Sequence, residues 1–244
     1  MNRMINSSRT IASATTMGFR KVTHVIFDMD GLLLDTETLY TAATQKVLDP
    51  YGKTYTWDVK VTLMGLQTQE VSERIIEIYD LPLKWEEYAT LQRKYAEELM
   101  IDAKLQPGAE RLLCHLHASN VPFCLATSSG EDMVKVKTTH HKDLFDLFLH
   151  KVCGSTDPEV KHGKPAPDIF LVAASRFKDK PRSENCLVFE DAPNGVSAAR
   201  AAGMQVVMVP DSHVPPEMCT EATQVLSSLE NFKPEEFGLP PFPN

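Results

Sequence analysis

The chain's 244 residues, 43% apolar and 24% charged, suffice for one sizeable core and a smaller second one, and they exclude disorder throughout. Lys and Arg number 25 against 33 Asp and Glu, a formal net charge of −8, which is opposite in sign to a general nucleic-acid binder. No stretch reaches the roughly 18 continuous apolar residues of a membrane helix, so neither nucleic acid nor membrane is an expected partner.

Residues 1–20 carry Arg3, Arg9, Arg20 and many Ser and Thr, and the first acid is Asp28. They read as a flexible tail, with Met17 as an alternative start. The same acid-free composition resembles a mitochondrial presequence, so the cytoplasm is the expected location and the mitochondrion the alternative. No long apolar stretch there supports secretion.

Val22-Thr23-His24-Val25-Ile26-Phe27 is a β-rich apolar run and reads as a buried strand. Asp28-Met29-Asp30-Gly31 leaves it, and Asp35 or Thr36 can cap a helix running from Glu37 toward Tyr51. The chain then stays helical to about residue 105. Val71, Ile75, Ile78 and Tyr79 recur at helical spacing, as do Leu91, Tyr95 and Leu99 within residues 85–100. Leu81-Pro82 separates these two helices, and Pro107-Gly108 closes the block.

Beyond it strands and helices alternate. Residues 121–127, 148–153, 186–190 and 206–209 read as strands, and 109–119, 131–140, 167–177 and 193–202 as helices. Pro167 suits a first helical turn and Gly203 a helix end. The end of the chain is rich in proline and reads as irregular. Such a βαβα series predicts an α/β fold, an open parallel sheet covered by helices. The helical block is too long for a connection, so it is expected to be an all-helical cap inserted into that core. The predicted organisation is an N-terminal tail over 1–20, a core over 21–36 and 106–238, a cap over 37–105 and a C-terminal tail over 239–244.

Cys114, Cys124, Cys153 and Cys186 sit in apolar runs, and no two of the five cysteines have CxxC spacing. They read as small buried hydrophobes in a reducing compartment. The pairs His115/His117 and His140/His141 lack ligand partners at zinc spacing and read as helix surface. Lys135/Lys137 with His140/His141 reads as a mildly basic, solvated helix face.

Ligands of such sheets bind beyond the carboxyl ends of the strands, and polar residues gather at four of those ends. The first group is Asp28-Met29-Asp30-Gly31. Two carboxylates spaced by two can face the same way, and their repulsion keeps one protonated unless a cation is present. That split suits one nucleophile and one acid. The second, Thr127-Ser128-Ser129-Gly130, offers a hydroxyl and backbone N–H groups to an anion. The third holds Lys164 between Gly163 and Pro165, placed to neutralise a phosphate. The fourth, Glu190-Asp191, supplies hard oxygen ligands of the kind Mg²⁺ accepts. Taken singly, each group also reads as turn carboxylates, a helix cap or an exposed lysine.

Together and in this order, the four groups resemble the haloacid-dehalogenase-type phosphohydrolase superfamily, over residues 21 to about 238. Within it the chain resembles the animal pseudouridine-5′-phosphatases, on residues 22–37, 55–60, 126–130, 157–171, 186–196 and 202–211. The resemblance implies a Rossmann-like core and a phosphatase acting on a small phosphorylated metabolite. It implies Asp28 as the nucleophile that becomes an aspartyl-phosphate, and Asp30 as general acid, then base. Mg²⁺ would be bound by the Asp28 carboxylate, the Asp30 backbone carbonyl and Asp191, with Glu190 direct or through water. Thr127, the Ser128 N–H and Lys164 would hold the phosphoryl oxygens. Pseudouridine 5′-phosphate is the implied substrate. Another sugar or nucleoside monophosphate, a sugar phosphomutase and a non-catalytic binding protein are the alternatives, and a monomer is expected.

The loop after Gly65 runs Leu66-Gln67-Thr68-Gln69-Glu70 and lacks the basic residues expected there. Gln67, Thr68 and Gln69 are the candidates for hydrogen bonding a uracil-like base and a ribose. Trp57 and Trp85 could stack on a base or form cap core.

Overall fold

The apolar runs pair edge to edge into one sheet. The computed structural model describes residues 19–63, 66 and 68–243. Residues 1–18 and Gln67 therefore lie outside the described residues, and with them most of the presequence reading. The chain begins with β1 (His24–Phe27), then β2 (Leu34–Asp35) and helices α1 (Glu37–Leu48), α2 (Trp57–Leu63), α3 (Thr68–Tyr79) and α4 (Trp85–Met100). It returns through β3 (Lys104–Leu105) to α5 (Ala109–Ala118), β4 (Phe123–Thr127), α6 (Glu131–Lys137), α7 (Lys142–Phe145) and β5 (Lys151–Cys153). It ends with α8 (Asp168–Ser175), β6 (Cys186–Glu190), α9 (Pro193–Ala201), β7 (Gln205–Met208) and β8 (Gln224–Val225).

Six strands form a parallel sheet in the order β5-β4-β1-β6-β7-β8. Phe27 lies opposite Leu125 on one side and Phe189 on the other. Both faces are covered, which is why the strands read as unbroken apolar runs. Val25, Phe27, Phe123, Leu125, Leu187 and Phe189 pack on one face, with α5 and the C-terminal segment. Ile26, Cys124, Ala126, Cys186 and Val188 pack on the other, under α8 and α9. After β5 the chain crosses from one side of β1 to the other, so the sheet's switch point lies at the end of β1.

The four helices α1 to α4 form the insert. An antiparallel pairing of β2 with β3, Leu34 opposite Leu105 and Asp35 opposite Lys104, closes its neck. Two-residue strands have no periodicity to read, so the sequence does not reveal them. Asp35, one of the two cap candidates, accepts from the Thr38 N–H at 3.4 Å, whereas the Thr36 side chain makes no capping bond. The insert has its own core around Val47, Leu48, Leu63, Ile75, Leu81 and Tyr88. A second small cluster, Ala43, Ala96 and Met100, packs against Met133 and Val136 of α6.

Several local expectations are corrected. Helix α6 ends at Lys137 rather than near residue 140. The Thr138 and Thr139 hydroxyls bond back to the carbonyls of Val134 and Val136, the competition that makes threonine a poor helix continuation. Cys114 is exposed while Cys219 is buried, and none of the five cysteines is bridged. The buried stripe of α5 runs through Ala109, Leu112, Leu113 and Leu116, which turns Cys114 to solvent. Both chain ends of the described region dock on the core. Phe19 stacks on Phe237 with centroids 4.4 Å apart, and the Arg111 guanidinium lies 3.8 Å from the Phe242 ring centroid. No described helix is long and apolar enough to cross a membrane.

Candidate active site

The ends of β1, β4 and β6 converge where the sheet changes direction. The Asp28 N–H still donates to the Phe189 carbonyl at 3.0 Å, extending the ladder one residue beyond β1. Its carboxylate is nearly buried, and Oδ1 accepts from Lys164 Nζ at 2.5 Å. The same ammonium donates to Glu190 Oε1 at 2.6 Å. Glu190 Oε2 accepts from the N–H groups of Asp191 at 3.1 Å and Ala192 at 3.3 Å. Two glycines make room for these carboxylates. A Cβ on Gly195 would lie 1.9 Å from Glu190 Cδ, and one on Gly31 would lie 2.1 Å from Asp191 Oδ2. Gly31 also has φ +79°, a backbone conformation that favours glycine.

Three carboxylates and one ammonium share this pocket, and the charge shows in their acidity. Burial, opposed by Lys164 and aided by Glu190 and Asp30, raises Asp28 to about 7. Burial, then Glu190 and Asp28, pushes Asp191 well above the carboxylate range. Burial pulls Lys164 down, but Asp28 and Glu190 more than offset it and hold the ammonium charged. Asp28, Glu190 and Asp191 each offer an oxygen, and these atoms lie within 4.8 Å of one another. An anionic set of hard donors, short of positive charge, fits a magnesium ion.

Asp30 does not share this ammonium. Its Oδ1 accepts from Lys137 Nζ at 2.5 Å, and its Oδ2 accepts from Ser129 Oγ at 2.8 Å and Thr127 Oγ1 at 3.3 Å. Lys137 Nζ also donates to Ser129 Oγ at 2.9 Å and to the Tyr40 hydroxyl at 3.2 Å. Burial pulls Lys137 down, yet Asp30 and Tyr40 leave it above its ordinary value. The solvated-face reading of Lys135/Lys137 is thus corrected: Lys135 is exposed, but the Lys137 side chain is wholly buried. A signal for this exists in the sequence. Lys137 stands three residues after Val134, and these two are the buried positions of α6.

Of the other predicted residues, Thr127 is buried and also accepts from the Ser129 N–H at 3.1 Å. Ser128 is exposed at the strand end. Thr68 and Gln69 are exposed on α3, where Gln69 donates to Glu73 one turn on at 2.9 Å. The structure does not bring them to the strand ends. The cleft between insert and core comprises two adjoining cavities of about 430 and 600 Å³. Both are lined by Glu37, Thr41, Trp57, Lys60, Asp191 and Asp211. Lys60 Nζ donates to Thr41 Oγ1 at 3.0 Å, pairs with Glu37 at 3.2 Å and lies 5.0 Å from the Trp57 ring centroid. Trp57 stacks on His213 of the core with centroids 4.1 Å apart. Lys60 of α2 is thus the lysine that lines both cavities, and Trp57 rather than Trp85 lines the cleft.

The haloacid dehalogenase-like hydrolase family matches residues 22–203, and the chain belongs to it. Within that family it is 65% identical over 223 residues to a probable pseudouridine-5′-phosphatase of Drosophila melanogaster, spanning 91% of this chain and 96% of that protein. It is 47% identical over 233 residues to (DL)-glycerol-3-phosphatase 2 of Arabidopsis thaliana, spanning 94% and 97%. A HAD family hydrolase of Deinococcus radiodurans, solved with bound phosphate and sodium, shares the fold at a TM-score of 0.76 and 23% identity, over 91% of this chain and 99% of that one. The chain is a phosphoric monoester hydrolase.

Proposed function

We propose that this enzyme is a Mg²⁺-dependent phosphatase that hydrolyses pseudouridine 5′-phosphate to pseudouridine and phosphate through an aspartyl-phosphate at Asp28. One observation carries the mechanism: the two strand-end carboxylates stand in different environments, Asp28 with Lys164 and the acidic cluster, Asp30 with Lys137 and two hydroxyls. Divergent surroundings of two acids are what a nucleophile and a proton carrier need. The 65% identity to the fly protein supports the choice of substrate.

The core comprises residues 21–36 and 106–238, and residues 37–105 form the cap. Lys164, Thr127 and the Ser128 N–H hold the phosphoryl oxygens beside Asp28. The Asp28 carboxylate attacks phosphorus as the bond to the 5′ oxygen breaks. Asp30 gives its proton to that leaving oxygen. In the second step Asp30 takes a proton from water, whose oxygen displaces Asp28 and releases phosphate. Asp28, the Asp30 backbone carbonyl, Glu190 and Asp191 would hold Mg²⁺, which supplies positive charge against the phosphate dianion and the charge developing on transfer.

The cavity over the site suits a polar nucleoside. Lys60, Glu37 and Thr41 offer it a donor and acceptors, and the cap shields the reaction from water. In this proposal they take the recognition role first given to Gln67, Thr68 and Gln69. Five unpaired cysteines support a reducing compartment, and we place the enzyme in the cytoplasm as a monomer.

The test is phosphate release from pseudouridine 5′-phosphate, uridine 5′-monophosphate, sugar 6-phosphates, β-glucose 1-phosphate and glycerol 3-phosphate, with and without Mg²⁺. Mg²⁺-dependent release with the highest kcat/KM on pseudouridine 5′-phosphate is expected, and Asp28→Asn abolishes it. A preference for glycerol 3-phosphate, the activity named in the plant relative, would overturn the substrate. Activity retained by Asp28→Asn in saturating Mg²⁺ would overturn the mechanism.

A further inference from the structure

We propose that Lys137 is a positioning residue for Asp30, fixing the carboxylate that passes a proton to the leaving oxygen. The proposal rests on the assignment of Asp30 as general acid made above.

Lys137 is the last residue of α6, and its side chain has no exposed surface. Taking an ammonium out of water costs several kcal/mol in effect, and a buried ion pair seldom returns more than an apolar side chain of the same volume would. Stability alone therefore gives no reason for a charge here. Its one carboxylate partner among the described residues is Asp30. Its other partners are the hydroxyls of Ser129 and Tyr40.

The bonds have a direction. Lys137 has only hydrogens to offer, so Ser129 Oγ accepts from it, and the single Ser129 proton is left for Asp30 Oδ2. Lys137 thereby fixes both carboxylate oxygens, Oδ1 directly and Oδ2 through Ser129. Thr127 touches Oδ2 as well, at 3.3 Å, so the carboxylate is held at the phosphate end of the site. Hydroxyls can turn from donor to acceptor. Oδ2 can therefore carry the transferable proton while Oδ1 stays on Lys137.

The anchor is itself held. Met133 and Val136 of α6 pack on Ala43, Ala96 and Met100 of the insert, and Tyr40 of α1 meets the Lys137 ammonium. Lys137 touches neither the proposed metal ligands' carboxylates nor the cleft. Its effect should fall on the step that needs the Asp30 proton. Misplacing a catalytic group by about 1 Å costs on the order of 10²-fold.

The experiment compares kcat/KM for two phosphomonoesters with different leaving groups. One is pseudouridine 5′-phosphate, or the alkyl ester that the panel above ranks first, whose alkoxide needs a proton. The other is 4-nitrophenyl phosphate, whose phenolate leaves without one. Lys137→Met should lose about 10²-fold on the alkyl ester and less than about 5-fold on the aryl ester. Lys137→Arg should recover part of the alkyl activity. Ser129→Ala should show the same selectivity at about 10-fold, and it keeps the test open if Lys137→Met fails to fold by far-UV circular dichroism. Equal losses on both esters, or no loss on either, would overturn the proposal. Asp30→Asn is measured alongside. Selectivity in Asp30→Asn without it in the Lys137 and Ser129 variants removes the anchor alone. No selectivity in Asp30→Asn removes the acid assignment, and the anchor with it.

Discussion

Replacing Gly195 by alanine adds one methyl group and separates two opposed effects. Gly195 lies in the first turn of α9, with no left-handed backbone requirement. By helix propensity alone, alanine there should stabilise by about 1 kcal/mol. The added Cβ, however, would sit 1.9 Å from Glu190 Cδ and Oε1 and 2.2 Å from Oε2. Glu190 cannot swing aside cheaply. Its side chain is 1% exposed, and its oxygens are tied to Lys164 at 2.6 Å and to two backbone N–H groups at 3.1 and 3.3 Å. Overpacking costs about 1–3 kcal/mol, and displacing a charge-assisted hydrogen bond adds about 1.5–3 kcal/mol. The net expectation is a loss of about 1.5–5 kcal/mol, or roughly 3–20 °C in Tm for a chain of this size. Thermal unfolding of Gly195→Ala followed by circular dichroism measures it. In a Glu190→Ala background the collision is gone, and the same methyl should be neutral or raise Tm. A rise in Tm in the wild-type background, or an equal fall in both, would refute the steric argument and return Gly195 to an ordinary helix position.

Four further outcomes follow from the same site. With metal chelated, Asp28 stays protonated to about pH 7 in the folded chain but ionises near 3.8 when unfolded. The folded state then binds more protons between these values, so stability falls as pH rises through that window. Asp28→Asn should flatten this part of the profile, and identical slopes in the two proteins would contradict it. Chelation should stop phosphate release and Mg²⁺ should restore it, while Mg²⁺ also raises Tm most at neutral pH; a Tm insensitive to Mg²⁺ would speak against binding by Asp28, Glu190 and Asp191. Lys164→Met should leave Asp28 and Glu190 facing each other without their shared ammonium, cutting kcat/KM on every phosphomonoester by at least about 10²-fold; a loss confined to one substrate would argue for a specificity role instead. Lys60→Met should raise KM for the preferred substrate about 10-fold while sparing 4-nitrophenyl phosphate, and a uniform fall in kcat on both would place Lys60 in the chemistry.

The sheet and its ends were legible because burial on both faces leaves a strong trace. The unbroken run Cys186–Glu190 became β6 residue for residue, and Asp28, Thr127 and Glu190-Asp191 stand where the apolar runs stop. The helix over residues 85–100 was legible for a related reason, since one element's periodicity is written along the chain. What lies between elements is not written that way. Basic residues are expected in the loop after Gly65, but the lysine that lines both cavities of the cleft is Lys60 of α2, a segment whose sequence does not announce which face meets the core. Lys137 was hidden for a different reason. A lysine beside Lys135 and two histidines looks solvated even one helical turn from Val134, and its burial depends on a carboxylate 107 residues away.

That long-range pair also changes how the two strand-end carboxylates are understood. Read along the chain, Asp28 and Asp30 are neighbours whose repulsion has to be relieved by sharing a proton or by one added cation. In the folded chain each has its own ammonium, Lys164 from the loop before α8 and Lys137 from the end of α6. Repulsion still reaches across, since Asp30 adds to the upward pull on Asp28, but it ranks below burial and Glu190. In the proposed mechanism the division of labour between attacking group and proton carrier therefore does not depend on which of two equivalent acids happens to hold a proton. It is built into two separate lysine contacts, and removing either lysine should disable a different half of the reaction.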